Sequence, residues 1–320
     1  MQRQIFKYST ITTFLILIFF IGYVFFMPIS KKEKVIFEIK QGDRLSIVAD
    51  NLYNEKIINS KFLFKLWMYI TWNQNKIKIG EYEILPSSTL NQIKSVITSG
   101  RMYNKFITIP EGLTVKQIFE IINSYDDLAG NITEKVDEGE LLPQTYAYNK
   151  TTTKNDIIVK MKNAMQDVID KEWETRDENL PLKNKKEAII LASIVEKETG
   201  LREERGLVAS VFTNRLNNNW RLQSDPTVIY TLTNKYGNMM GKKLYKKDLE
   251  IETPYNTYKI KGLPVGAIAN PGVESIRAVL HPVKSDYFYF VADGTGGHKF
   301  ATTLEEHEKN RAKWKEIRDK

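Results

Sequence analysis

The sequence predicts an α+β protein with one N-terminal apolar span, a small α+β unit and a larger mixed α+β domain. Three observations carry that prediction. Residues 8–27 hold no charged side chain, and twenty helical residues reach about 30 Å, the thickness of a bilayer core. Residues 34–102 switch between short β-like runs and helical apolar stripes. Residues 186–200, Lys-Glu-Ala-Ile-Ile-Leu-Ala-Ser-Ile-Val-Glu-Lys-Glu-Thr-Gly, read as a helix that is apolar nearly all round, which places it inside a domain core.

The boundaries follow from these patterns. Residues 1–7 form a short arm, 8–27 a transmembrane helix ended by Pro28, 34–102 the small domain and 103–320 the larger one. No small-x-small cleavage site follows the span, so it reads as an uncleaved anchor. Arg3 and Lys7 precede it, and Lys31, Lys32 and Lys34 follow it, so the positive charges do not set its orientation. A short arm and one span before a large domain fit an N-inside, C-outside anchor. The remaining chain, with 42% hydrophobic residues overall, is long enough for two folded cores. The absence of cysteine excludes disulfides, thiolate metal sites and a cysteine nucleophile, and it suits an oxidising compartment.

The net charge is +8, yet the densest basic cluster, Lys242, Lys243, Lys246 and Lys247, reads as a solvated loop. A nucleic-acid partner is disfavoured, whereas an anionic polymer or lipid headgroup suits the charge. His281, His298 and His307 lack the compact spacing of zinc ligands, so no metal is expected, and no cofactor.

The elements can be justified in order. Val35–Ile39 reads as a strand, Gln41-Gly42-Asp43 as a turn, and Leu45, Val48, Ala49 and Leu52 as a helical stripe. Asn59-Ser60 caps a second helix through Phe62, Leu63, Leu66, Trp67 and Ile70. Gly80–Leu85 is a strand ended by Pro86, and Ser87 or Ser88 caps a helix stopped by Gly100. Lys105–Ile109, the turn Pro110-Glu111-Gly112 and the helix Thr114–Asn123 echo the strand–glycine–helix arrangement of residues 35–52. Residues 124–156 read as a long loop region. A helix over Asp156–Trp173 and a charged connector over Glu178–Lys186 lead into the apolar helix. A helix over Glu203–Leu216 follows Gly200. Arg221–Tyr230 and Thr253–Pro271 are rich in Pro, Gly, Asn and Tyr and read as surface segments that carry function. Tyr287–Ala292 is an alternating aromatic strand, and Thr303 with Glu306 forms a capping box for the last helix.

The apolar helix carries the chemistry. Glu196 and Glu198 both point inward, about 160° apart, and therefore do not share one site. A carboxyl group in apolar surroundings resists ionisation, which is what a general acid at neutral pH requires. Two ion pairs, drawn from Lys197, Arg202 and Arg205, explain the same residues equally well.

Two resemblances narrow this reading. The β-α-α-β order of the small unit, with Gly42-Asp43-x-Leu45-Ser46-x-Val48-Ala49, resembles a LysM-like carbohydrate-binding module. Ala192–Thr199, Leu222–Tyr230, Tyr255–Tyr258 with Gly262–Ile268, and Tyr289–Gly294 with Gly297-His298 resemble, in order, four signature blocks of the endolytic murein transglycosylase, or YceG-like, family. The resemblance implies a membrane-anchored enzyme that cleaves peptidoglycan between N-acetylmuramic acid and N-acetylglucosamine without water, leaving 1,6-anhydro ends. It implies Glu198 as the catalytic acid and base and Glu196 as a structural carboxylate. Gln223, Asp225, Tyr255, Asn256 and Tyr258 carry groups suited to sugar hydroxyls and acetamides. Asp225-Pro226-Thr227 also fits a plain turn or helix cap. The implied partners are glycan strands, the cytoplasmic membrane and penicillin-binding wall synthases.

Three departures stand out: Glu138–Tyr146 lacks the family's usual aromatics and aspartate, Val265 replaces a frequent proline, and Ser224 a frequent threonine. A glycan hydrolase with Asp225 as base and a noncatalytic glycan-binding scaffold are the alternatives.

Overall fold

The computed structural model describes residues 12–16, 19, 22–23, 25–28, 33–237 and 244–318. The rest of the expected span over 8–27, and Lys242 and Lys243 of the basic cluster, lie outside the described residues. Among the described residues, no helix is long and apolar enough to cross a membrane. The chain divides into two compact units, one of residues up to Phe106 with Ala147–Thr151, the other of Ile107–Tyr146 with Thr152 onward.

The first unit runs β1 (Val35–Ile39), α1 (Leu45–Asn54), α2 (Lys61–Ile70), β2 (Gly80–Ile84) and α3 (Leu90–Ser99). β1 and β2 pair antiparallel, with Val35 opposite Ile84 and Ile39 opposite Gly80. The period of two turns Phe37, Ile39, Tyr82 and Ile84 into a core shared with Val48, Leu52, Phe64, Met68, Ile93 and Ile97. Ser60 accepts from Leu63 N (3.3 Å) at the start of α2. The cap of α3 is Thr89, in a reciprocal box with Gln92, and not Ser87 or Ser88. The Ser88 hydroxyl is occupied by Leu85 O (2.7 Å), and Ser87 takes a φ of 57° in the preceding turn. Phe25, from the described end of the apolar run, stacks on Trp67 with ring centroids 4.2 Å apart. The order β-α-α-β is as read, but order alone does not identify a carbohydrate-binding module.

A second two-stranded sheet joins β3 (Lys105–Thr108) and β4 (Thr145–Tyr148). β4 lies inside the region read as loop, because Tyr146 and Tyr148 bury alternate side chains there. In the second unit follow α4 (Val115–Asn123), α5 (Lys154–Glu174), α6 (Lys185–Glu198), α7 (Arg205–Asn217), α8 (Asp225–Tyr236), α9 (Val273–Leu280), β5 (Tyr289–Ala292), β6 (His298–Ala301) and α10 (Leu304–Arg318). α8 corrects the expectation of a surface segment over Arg221–Tyr230, because Thr227 and Val228 are buried on it. The Pro226 that suggested a loop sits in the first turn, where its missing N–H costs nothing.

α6 is the central helix, packed by α5, α7, α8 and α9. Ala188, Leu191, Ala192, Ile194 and Val195 are all fully buried. Ser193, a polar residue on this helix, is fully buried too. Its hydroxyl donates to Ile190 O (2.7 Å) and accepts from Ile268 N (3.1 Å), so burial leaves no polar group unmet. β5 and β6 pair antiparallel, and Phe290 meets Phe212 edge-on at 5.8 Å.

Candidate active site

α6 ends at Glu198, and the next residue, Thr199, is already extended. Glu198 is half-buried at this end. One carboxyl oxygen accepts from Ser224 Oγ at 2.5 Å. Burial pushes the Glu198 pKa up to about 7, against the Ser224 hydrogen bond, which favours the anion; the nearby Asp225 carboxylate raises it further and the Arg215 guanidinium opposes that rise. The direction is the one the apolar helix suggested. The counterweights come from α7, α8 and the turn before α8, which periodicity could not place.

Arg215 is almost fully buried. Its Nε donates to Phe288 O (2.8 Å), its Nη1 donates to Leu222 O, and its guanidinium lies 5.8 Å from the Tyr289 ring centroid. It is a fixed positive charge that favours the ionised form of Glu198. Ser224 occupies the N-cap position of α8 but makes no capping bond with its side chain. Its hydroxyl serves Glu198 instead. The sequence marks Ser224 as a helix start and gives no sign of a target 26 residues earlier. Arg215 likewise reads as an ordinary helical cation.

Glu196 has the opposite setting. Its side chain is 6% exposed and pairs with Arg205 Nη2 at 3.2 Å. Its other oxygen accepts from Gly272 N (3.0 Å) and Ser275 Oγ (2.7 Å). Glu196 thus joins α6, α7 and the start of α9. Of the cations near in sequence, Arg205 is the partner, while Lys197 donates to Gly112 O (3.1 Å).

The remaining candidates separate into four positions. Asp225 and Tyr258 meet beside Glu198, with Tyr258 Oη donating to Asp225 Oδ1 at 2.6 Å. Gln223 lies one residue before Ser224 in the left-handed region (φ 52°), exposed, with its N–H given to Thr257 O (3.2 Å). Asn256 departs from its expected role in binding. It is 1% exposed, its amide donates to Leu249 O (3.0 Å) and Ile251 O (2.7 Å), and its oxygen accepts from Tyr258 N (2.9 Å). It shapes the turn that presents Tyr258. Tyr255 turns away from this group and packs against Tyr230 at 5.0 Å between ring centroids.

That tyrosine pair lines a cleft of about 600 Å³ together with Glu138, Ile189, Ile190 and Val265. Glu138 Oε2 accepts from Val115 N (2.9 Å) and Asn270 Nδ2 (3.2 Å). Burial outweighs both bonds and pushes the carboxyl up to about 7. Asn270, fully buried, also accepts from Gly139 N and Leu141 N, each at 3.0 Å. Gly139 must be glycine. Its φ is 89° and a Cβ would fall 2.5 Å from Ile189 Cγ2. The sequence reading missed the binding of Glu138 by Asn270, a contact across 132 positions.

The histidines do not converge. His298 Nδ1 lies 2.7 Å from Glu204 Oε2, His281 Nδ1 lies 3.2 Å from Asp177, and His307 stacks on Tyr289 at 5.2 Å. Among the described residues no cluster of three His, Cys, Asp or Glu could hold a metal ion.

The family model described as the YceG-like family matches residues 37–313. An endolytic murein transglycosylase of Bacillus subtilis is 33% identical, over 90% of this chain and 87% of its own. One from Streptococcus pneumoniae is 27% identical over 88% of this chain, which spans 58% of that longer protein. The crystal structure of a YceG-like protein from Listeria monocytogenes superposes with a TM-score of 0.52 at 33% identity, covering 87% of this chain and 99% of that one. With a family match across most of its length and relatives this similar, the chain belongs to the YceG-like family.

Proposed function

We propose that the protein is an endolytic lytic transglycosylase of peptidoglycan, with Glu198 as its acid and base. The observation that carries this reading is a carboxyl with a pKa near 7, held by one hydroxyl between a fixed cation and a second carboxylate. At neutral pH such a group is populated in both protonation states, which suits it to give a proton and take one back. The similarity to endolytic murein transglycosylases supports the substrate class.

The chemistry uses no water. Protonated Glu198 donates to the glycosidic oxygen between N-acetylmuramic acid and N-acetylglucosamine, and the bond from C1 to that oxygen breaks. Arg215 favours the carboxylate this leaves. The carboxylate then removes the proton from the C6 hydroxyl of the muramyl ring as O6 bonds to C1. The products are a free hydroxyl on the leaving sugar and a 1,6-anhydro ring, and Glu198 is protonated again. A second catalytic carboxylate is not required, unlike in hydrolysis. Asp225 and Tyr258 would hold sugar hydroxyls, Gln223 lies exposed on the same rim, and Tyr255 offers a stacking face further away.

Residues 8–27 would anchor the chain in the cytoplasmic membrane with residues 34–320 outside it, beside newly made strands and the penicillin-binding synthases that extrude them. The LysM-like unit over 34–102 would aid glycan binding without cutting. The test is mass spectrometry of strand ends made by the full-length enzyme from purified glycan. Anhydro ends are expected; reducing ends, heavier by one water, would show a hydrolase with Asp225 as base. A C-terminal phosphatase reporter, active only outside the cytoplasm, is expected to be active. A cytoplasmic reporter signal would refute the topology.

A further inference from the structure

The cleft lined by Glu138, Tyr230 and Tyr255 is not where Glu198 is, yet the same three segments build both places. α8 starts at Asp225 beside Glu198 and brings Tyr230 to the cleft, about 7.5 Å further along its axis. The turn over residues 253–258 gives Tyr258 to Asp225 and Tyr255 to the cleft. On α6, Ile189 and Ile190 line the cleft two turns before Glu198.

The lining has a definite chemistry. Two aromatic rings and two isoleucines offer apolar surface, and the cleft is about 600 Å³. Glu138 presents one oxygen already bound by Val115 N and Asn270, and its other oxygen has no hydrogen-bond partner among the described residues. The lysines at the rim are mostly matched. Lys162 pairs with Glu134 at 2.9 Å and Lys185 with Asp170 at 2.7 Å. A strongly anionic ligand therefore finds little uncompensated charge. A neutral, amphipathic ring with an amide suits the site better: aromatic faces meet the ring, isoleucines meet a methyl, and Glu138 meets the amide.

We propose that this cleft is a remote glycan subsite that holds one N-acetylated sugar ring of the strand, beyond the two rings joined by the cleaved bond. The proposal rests on the transglycosylase reading and adds to it a preference for long strands over short ones. The strand would run from Asp225 and Tyr258 along α8 to Tyr230.

Two variants of the full-length chain test it, Val265→Trp and Tyr230→Ala. Val265 lines the cleft and is 56% exposed, so a larger ring there blocks the opening without entering the core. The probes are peptide-free strands of alternating N-acetylglucosamine and N-acetylmuramic acid, long, or cut to the shortest cleavable oligomer. Both variants are expected to raise KM on long strands about tenfold, with kcat within twofold and with KM and kcat for the shortest oligomer unchanged. An equal loss on short and long probes, or no loss on long ones, overturns the subsite. Sensitivity confined to strands that carry stem peptides also overturns it, because the cleft then holds peptide. Calorimetry separates this from the reaction itself. Long peptide-free strands should bind the Glu198→Gln protein about tenfold more tightly than the Glu198→Gln, Val265→Trp protein; equal binding removes the subsite whatever bond the wild type cleaves.

Discussion

Glu196 and Glu198 stand two residues apart on one helix and show how little the residue type alone decides. Glu196 meets an arginine, a backbone N–H and a serine hydroxyl. Glu198 meets one serine hydroxyl, and burial pushes its pKa up to about 7. A well-paired carboxylate ties elements together, whereas a sparsely paired one near neutrality can move a proton. The difference arises because different elements pack on different faces of α6. The face bearing Glu196 meets the start of α9, and the face bearing Glu198 meets the start of α8.

The largest effect should come from breaking the proton carrier. Glu198→Gln keeps the shape and removes the transferable proton, and anhydro-end production is expected to fall by about 10²–10⁴-fold. Retained activity would show that the chemistry sits elsewhere. Glu196→Gln is expected to do the reverse. It weakens the bonds to Arg205 and Gly272, so stability should drop by about 2 kcal/mol, read as a shifted urea midpoint, while turnover per folded molecule stays within a few-fold. If turnover collapses in the folded Glu196→Gln protein, the division of labour along α6 is wrong.

Smaller effects sharpen the contrast. Ser224→Ala removes a hydrogen bond that lowers the Glu198 pKa, so the alkaline limb of the pH–rate profile should move up by about 0.5–1 unit. An unmoved limb would mean that another group sets it. The last effect is on stability. A carboxyl whose folded pKa is raised favours folding fully below its unfolded pKa, here near 4.5, and that contribution is lost as pH rises through about 7. Wild-type Tm should therefore fall, relative to Glu198→Gln, between pH 5 and pH 8. Parallel Tm curves would contradict the raised pKa.

Local chemistry made much of this protein legible in advance. Period-two burial in β1 and β2, the unbroken apolar surface of α6 and the inward direction of both glutamates follow from side-chain spacing. The order of elements in the first unit was legible too, whereas of the candidates Gln223, Asp225, Tyr255, Asn256 and Tyr258 nothing in the sequence marked Asp225 and Tyr258 as the two that meet. Other features depend on residues far apart in the chain. Ser224 gives its hydroxyl to Glu198 and not to its own helix, the buried Ser193 hydroxyl is met by Ile268 N, and Asn270 holds Glu138. Spacing sets which way a side chain points, so the sequence by itself determined most of the helices and strands, though not β4 or α8, and the inward carboxylates. What each carboxylate meets there is decided by elements brought in from 9 to 79 positions away, because hydrogen-bond partners and burial belong to the packed chain and not to any one segment of it.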